Sequence, residues 1–205
     1  MTIRLVLCIY CIMIISSVNA QPLKLFYGSG TLKSEGRIEN DLRQGEWVHY
    51  YPSGKKSAVE HYLNDLLEGE VVYYDTLENV IGKEFWAEGL LTDSAKYFYS
   101  NGNIEKMGKY KEGMYEGNWV FYYDNGKLKR EGTYQSGLPQ GTWMFYNDQG
   151  IKIQEGEFKD GAEDGIWLFY NDKGILEYSG RYDSGDKAGD WYRYNKTGKK
   201  KKIRY

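Results

Sequence analysis

Cysteine is almost missing from this chain. Of 205 residues only Cys8 and Cys11 carry thiols, both near the start. From Gln21 onward there is no cysteine, which excludes a disulfide and a thiol nucleophile there. Histidine is nearly as scarce. His49 and His61 are the only two, so a three-histidine or Cys/His metal site is excluded. Both are expected to be packed on hairpins or to face solvent. Proline is scarce, at 3 residues. No stretch keeps a helical period over about ten residues. No Gly-x-Ser-x-Gly elbow occurs. Gly28-Ser29-Gly30 has no helix after it, so it is not a phosphate loop. The formal charge is -2, which gives no bulk electrostatic case for nucleic acid.

One apolar run stands out. Leu5 to Ile15 is an unbroken run of eleven residues behind the lone charge of Arg4. That is short for a transmembrane helix, which needs about 20 apolar residues. Val18 and Ala20 sit at the -3 and -1 places of a signal-peptidase site. Residues 1–20 therefore read as a signal peptide cleaved at Ala20-Gln21. The expected location is exported: periplasmic, outer-surface or secreted. Cys8 and Cys11 follow bulky Leu7 and Tyr10, which does not fit a lipidation site.

What remains is rich in glycine (25) and tyrosine (21). A 24-residue period orders both. Gly45, Gly69, Gly117, Gly141, Gly165 and Gly189 mark it, with Asp93 in the missing place and Gln21 starting the series. Two residues later come Trp47, Trp119, Trp143, Trp167 and Trp191, with Leu23, Val71 and Ala95 in the other units. A second column holds Gly36, Gly108, Gly132, Gly156 and Gly180. A third holds Ile38, Tyr62, Trp86, Tyr110, Tyr134, Phe158 and Tyr182. Residues 21–188 make seven full units without insertion or deletion, and 189–205 a partial eighth.

Each unit reads as a hairpin. Asn118 to Tyr123 is rich in strand formers. Asp124-Asn125-Gly126-Lys127 is a turn. Leu128 to Gln135 is a second strand, and Ser136-Gly137-Leu138-Pro139 turns into the next unit. The fold expected is all-β: an elongated, single-layer antiparallel hairpin array of about 15–16 strands, residues 21–205. Alternation along the strand puts Trp119, Phe121 and Tyr123 on one face, and Val120 and Tyr122 on the other. Stacked repeats then build aromatic rows that stand in for a two-layer core.

The pattern Gly117 to Lys127 (G-x-W-x-x-Y-Y-x-x-G-K), followed by Glu131 to Gly137 (E-G-x-Y-x-x-G), resembles the MORN repeat variant. That variant is found in bacterial proteins, including the YwqK-type antitoxin component family. The resemblance spans essentially residues 21–205. It is clearest in Gly117–Lys187, present in Gln44–Tyr62, and weaker over 69–92 and 93–116. It implies an extended sheet without catalysis in the repeats, and a role in binding proteins or membranes. The antitoxin label further implies neutralising a toxin by contact.

The expectation is a non-catalytic, exported protein-interaction module with no cofactor and no metal. An antitoxin or immunity role is one alternative. A glycan- or envelope-binding module is another. The candidate surface is Trp119, Tyr122, Trp143, Tyr146, Trp167, Tyr170 and Trp191, around units 117–188. Sugar binding by these tryptophans requires exposed rings. The carboxylates Glu35, Glu131 and Glu155 recur in one column, where cross-strand pairing with Lys or Arg is expected. Catalytic carboxylates would be unique rather than repeated. The tail Lys199–Tyr205 reads as a charged terminal strand that discourages edge pairing, with anionic lipid or an acidic partner as the alternative.

Overall fold

The computed structural model describes residues 20–204; the expected signal peptide falls almost wholly outside them. The described chain is all-β, seventeen antiparallel strands in one open sheet. The first half holds β1 (Gln21–Phe26), β2 (Leu32–Glu39), β3 (Leu42–Tyr50), β4 (Lys56–Leu63), β5 (Leu66–Leu67), β6 (Gly69–Tyr74), β7 (Val80–Ala87), β8 (Leu90–Phe98) and β9 (Ile104–Lys111). The second holds β10 (Met114–Tyr122), β11 (Leu128–Gln135), β12 (Leu138–Tyr146), β13 (Lys152–Lys159), β14 (Ala162–Tyr170), β15 (Leu176–Asp183), β16 (Asp186–Tyr194) and β17 (Lys200–Ile203). Neighbours in sequence are neighbours in the sheet, so the chain is a meander of hairpins. β5 and β6 flank Glu68 and both pair with β4, so they share one place in the order.

Two turns alternate. At Ser136-Gly137 both central residues have positive φ, 49° and 82°, and Gln135 pairs with Leu138. That is the two-residue turn whose twist suits a hairpin. At Tyr123–Lys127, Tyr123 N donates to Lys127 O (2.8 Å) and Gly126 N donates to Tyr123 O (2.9 Å). Glu78 interrupts the glycine column of this turn in sequence, yet it holds the same left-handed backbone, φ 67°.

The 24-residue marker is a bulge. Between β9 and β10, Lys109 pairs with Glu116 and Met107 with Val120, so Gly108 alone faces Gly117-Asn118-Trp119. The same three-against-one opening recurs between β2 and β3, β11 and β12, β13 and β14, and β15 and β16. The bulge begins with a left-handed residue. Glycine takes that conformation without strain, and Asp93 (φ 52°) is among the few side chains that tolerate it.

The opening ends in tryptophan, which lies flat over the lone glycine. A Cβ on Gly108 would meet the Trp119 ring at 2.3 Å, and one on Gly132 would meet Trp143 at 2.2 Å. Gly36, Gly156 and Gly180 stand in the same relation to Trp47, Trp167 and Trp191. Each indole N–H of Trp47, Trp119, Trp143 and Trp167 donates to the carbonyl just past its glycine, for example Trp119 Nε1 to Lys109 O at 2.9 Å. Rings of the neighbouring column stand edge-on against them: Tyr110 on Trp119, Tyr134 on Trp143, Phe158 on Trp167. One face of a single sheet thus becomes a core. Trp119 is 0% exposed, and Trp143 and Trp167 are 1%.

Successive turns are tied by a tyrosine column. The hydroxyls of Tyr27, Tyr51, Tyr99 and Tyr123 donate to the carbonyls of Tyr50, Tyr74, Tyr122 and Tyr146, at 2.7–2.9 Å. A register shift after Phe121 places Tyr123 in the turn, so it is not the next inward rung after Trp119 and Phe121. Asp75, Asn147, Asn171 and Asn195 fill the same column elsewhere and accept bonds from their own turns.

Candidate interaction surface

The structure divides the seven candidate residues between two faces. Trp119, Trp143, Trp167 and Trp191 lie on the core face and are buried, so their ring faces are already covered by protein. Tyr122, Tyr146 and Tyr170 lie on the opposite face and are half-buried. The regularity of units 117–188 is that of packing.

On the second face each of the repeated carboxylates meets a tyrosine, and two of them meet a lysine as well. Tyr50 donates to Glu35 at 2.7 Å, Tyr146 to Glu131 at 3.0 Å, and Tyr170 to Glu155. Lysine adds to two of them: Lys24 lies 3.0 Å from Glu35 and Lys152 lies 2.7 Å from Glu155. The bond from Tyr50, then Lys24, holds the Glu35 carboxyl below its usual range. Lys152, then Tyr170, does so for Glu155. In return the carboxylate pushes the Tyr50 hydroxyl up to about 12. Burial, then Glu155, pushes Tyr170 up to about 12.

A row of paired residues crosses this face. It runs Val48, Val59, Val72, Lys83, Lys96, Met107, Val120, Glu131 and Met144. Over units 69–116 the row is basic and opens into a groove of about 600 Å³. Phe85, Phe98, Met107 and Val120 give it an apolar lining; Lys83, Lys96 and Lys109 surround them, with Glu70, Glu84, Ser94 and Asn118. Phe85 is 43% exposed, unusual for a phenylalanine in a paired strand. Sequence reading passed over this groove because units 69–92 and 93–116 depart most from the repeat.

The same two units depart on the core face. Val71 and Ala95 replace tryptophan, and Glu60 and Glu84 replace the glycines those tryptophans would cover. The exchange is paired throughout: each Trp of the column has its Gly, and each small residue has its Glu. Glu60 Oε2 accepts from Tyr62 (2.6 Å) and lies 2.8 Å from His49 Nε2, at an angle poor for a hydrogen bond. Burial pushes the Glu60 carboxyl up, but His49 and Tyr62 outweigh it and hold it low. Glu84 accepts from Tyr73 (3.1 Å), Trp86 Nε1 (3.1 Å) and Tyr97 (2.5 Å). These tyrosines stand where Phe121, Phe145 and Phe169 stand in the Trp–Gly units, so a donor appears wherever a carboxylate does. His61 Nδ1–H donates to Glu70 O, 2.9 Å, on the sheet surface.

At the carboxyl end, β17 pairs with β16; Lys202 bonds Asp190 at 2.5 Å and Lys200 lies 4.4 Å over the Tyr192 ring. A second groove there is lined by Lys173, Arg193, Lys196, Lys199, Lys200 and Lys201, along with Asp172 and Glu177. Among the described residues no group of three or more His, Cys, Asp or Glu could hold a metal ion, and no helix is long and apolar enough to cross a membrane.

Comparison with known proteins places the repeats. A family model described as MORN repeat variant matches residues 43–64, 94–112 and 115–136. The second match falls on a unit that lacks its tryptophan. No curated protein matches the chain. Among solved structures, similarity is found to a GtfA/B complex bound to UDP and GlcNAc, at 13% identity and TM-score 0.25 over 56% of this chain and 22% of that one. A Tc holotoxin pore of Photorhabdus luminescens is similar at 13% identity and TM-score 0.25, over 88% of this chain and 12% of that one. A porin-like protein from Bacteroides uniformis is similar at 10% identity and TM-score 0.21, over 91% and 94%. The chain thus spans about a fifth of the first of these structures and about an eighth of the second. Three stretches of this chain carry the MORN repeat variant, set in one all-β array of hairpins.

Proposed function

We propose that this chain is an exported, non-catalytic interaction protein, and that the groove over units 69–116 takes a segment of a protein partner. The observation that carries the reading is the lining of that groove: exposed Phe85, with Met107 and Val120, among Lys83, Lys96 and Lys109. An apolar floor with a basic rim suits a segment that presents apolar and acidic side chains together. Export rests on residues 1–20, whose pattern is that of a cleaved signal. A toxin neutralised by direct contact is one partner of this kind, as the antitoxin label of the resembling family implies.

The test uses the exported chain as bait in envelope extract. Mass measurement of that protein is expected to show Gln21 as its first residue. A discrete protein partner lost on Lys96→Glu/Lys109→Glu, and kept on Lys173→Glu, supports the groove. A partner indifferent to the first pair refutes it. Capture of polysaccharide alone refutes the protein reading and supports the envelope-binding alternative.

A further inference from the structure

The two units that lack tryptophan do not solve their carboxylates in the same way. Around Glu60 the chain supplies its own basic groups. Arg43, ion-paired with Asp65 at 2.6 Å, places its guanidinium 3.8 Å from the centroid of the Tyr62 ring, and Tyr62 itself donates to Glu60. His49 adds a second basic group at 2.8 Å. One repeat later the equivalents of these positions are read directly from the 24-residue period. Glu84 stands for Glu60 and Trp86 for Tyr62, while Leu67 stands for Arg43 and Tyr73 for His49. The carboxylate and its aromatic partner are kept, and both basic groups are gone. Among the described residues no Lys, Arg or His lies within ion-pair distance of Glu84.

Glu84 is bonded by neutral donors alone. Tyr73, Trp86 and Tyr97 each bond it and are all partly exposed. A carboxylate set among aromatic rings is poorly solvated, and a cation over those rings gains from both the charge and the ring quadrupoles. The surface accepts such a group already on its other side, where Lys106 Nζ lies 4.4 Å over Tyr97. Packing alone does not call for this arrangement, since Trp–Gly fills the same place in five other units.

We propose that Glu84, with Trp86, Tyr73 and Tyr97, binds a guanidinium group borne by a partner's arginine side chain, seated over these rings as Arg43 is seated over Tyr62. The rings that bond Glu84 belong to the core face, while Glu84 also lines the groove; separate variants tell the two readings apart.

The probe is Nα-acetyl-arginine amide, titrated against the full chain by Trp fluorescence and backbone-amide NMR. Its neutral isostere, the acetyl-citrulline amide, is the control. Saturable binding of the arginine compound with shifts centred on residues 84–97, at least ten-fold weaker for citrulline and for Glu84→Gln, supports the proposal. A second variant, Glu84→Gly/Ala95→Trp, rebuilds the Trp–Gly pair seen elsewhere. It is expected to fold, by circular dichroism, and to lose the probe. Free guanidine-bearing metabolites and peptide arginine are separated by repeating the titration with a Gly-Arg-Gly peptide, which is expected to bind at least as well. No binding, equal binding of citrulline, or binding unchanged in Glu84→Gln overturns the proposal. Loss of the groove partner with Lys96→Glu/Lys109→Glu is a separate result and bears only on the groove.

Discussion

Replacing Gly132 by alanine tests whether the tryptophans are seated on glycine. An added Cβ would lie 2.2 Å from the Trp143 ring. Carbon atoms rest at about 3.5–4.0 Å, so the ring must lift by roughly 1.3 Å or more. It has little room. Trp143 is 1% exposed, and Tyr134, Phe145 and Phe158 pack around it with centroids at 5.0, 6.1 and 5.8 Å. Lifting the ring also weakens its bond to Thr133 O, 3.3 Å long. Overpacking costs about 1–3 kcal/mol, and a lost hydrogen bond about 0.5–1.5 kcal/mol. The expected destabilisation is about 2–4 kcal/mol. Gly82 is the control. It shares the face and has no positive φ, but its added Cβ would meet Tyr73 at 3.2 Å and Tyr97 at 3.4 Å, which small side-chain shifts relieve. Gly82→Ala should cost under about 1 kcal/mol. Urea unfolding followed by Trp fluorescence and circular dichroism compares midpoints at equal slope. Gly132→Ala/Trp143→Ala should cost no more than Trp143→Ala alone, because the clash goes with the ring. A Gly132→Ala protein as stable as Gly82→Ala would refute the packing account.

Further outcomes follow from the same contacts. Trp143→Ala should cost about 3–5 kcal/mol as a buried aromatic truncation, read by the same unfolding curves. Tyr123→Phe removes the bond to Tyr146 O and should cost about 0.5–1.5 kcal/mol, whereas Asn147→Ala should act on its own turn, seen as local loss of amide-exchange protection. The carboxyls of Glu35 and Glu155 are lowered from 4.5, so their stabilisation is present above that pH and lost as pH falls through their folded values. Glu155→Gln should flatten that acid limb. Tyr50 and Tyr170 are raised from 10.0 to about 12, so stability should fall as pH rises between those values, checked by ultraviolet tyrosinate titration alongside unfolding.

Much of the fold was legible because the period is exact in number. The turn pairs, the alternation of hairpins and the sheet class follow from columns such as Gly126 and Ser136-Gly137. The bulge did not. A marker glycine reads equally well as a turn residue, and only the pairing of Gly108 against Gly117-Asn118-Trp119 shows the sheet opening there. The aromatic rows were visible, but whether Trp143 faces water or backbone depends on a glycine 11 residues earlier, on another strand. The covariation was present in the sequence: Val71 with Glu60, Ala95 with Glu84. Without the contact between those columns, the two units looked merely eroded. The candidate surface was therefore placed on regular repeats, while the exposed phenylalanine and the basic row lie on irregular ones. Lysine partners for the carboxylate column were legible as charge, and Lys24 and Lys152 supply them at Glu35 and Glu155; the tyrosine partners were not. The tyrosine hydroxyls sit 15 residues away across a hairpin whose register was not known.

The most direct measurement is acrylamide quenching of tryptophan fluorescence in the folded chain and in Trp86→Phe. Five of the six tryptophans lie under 6% exposed on their glycines, and Trp86 alone is partly open. The result expected is a small accessible fraction that nearly vanishes in Trp86→Phe. Quenching that persists at the level of exposed indoles in that variant would contradict the claim that the tryptophan column is this protein's core.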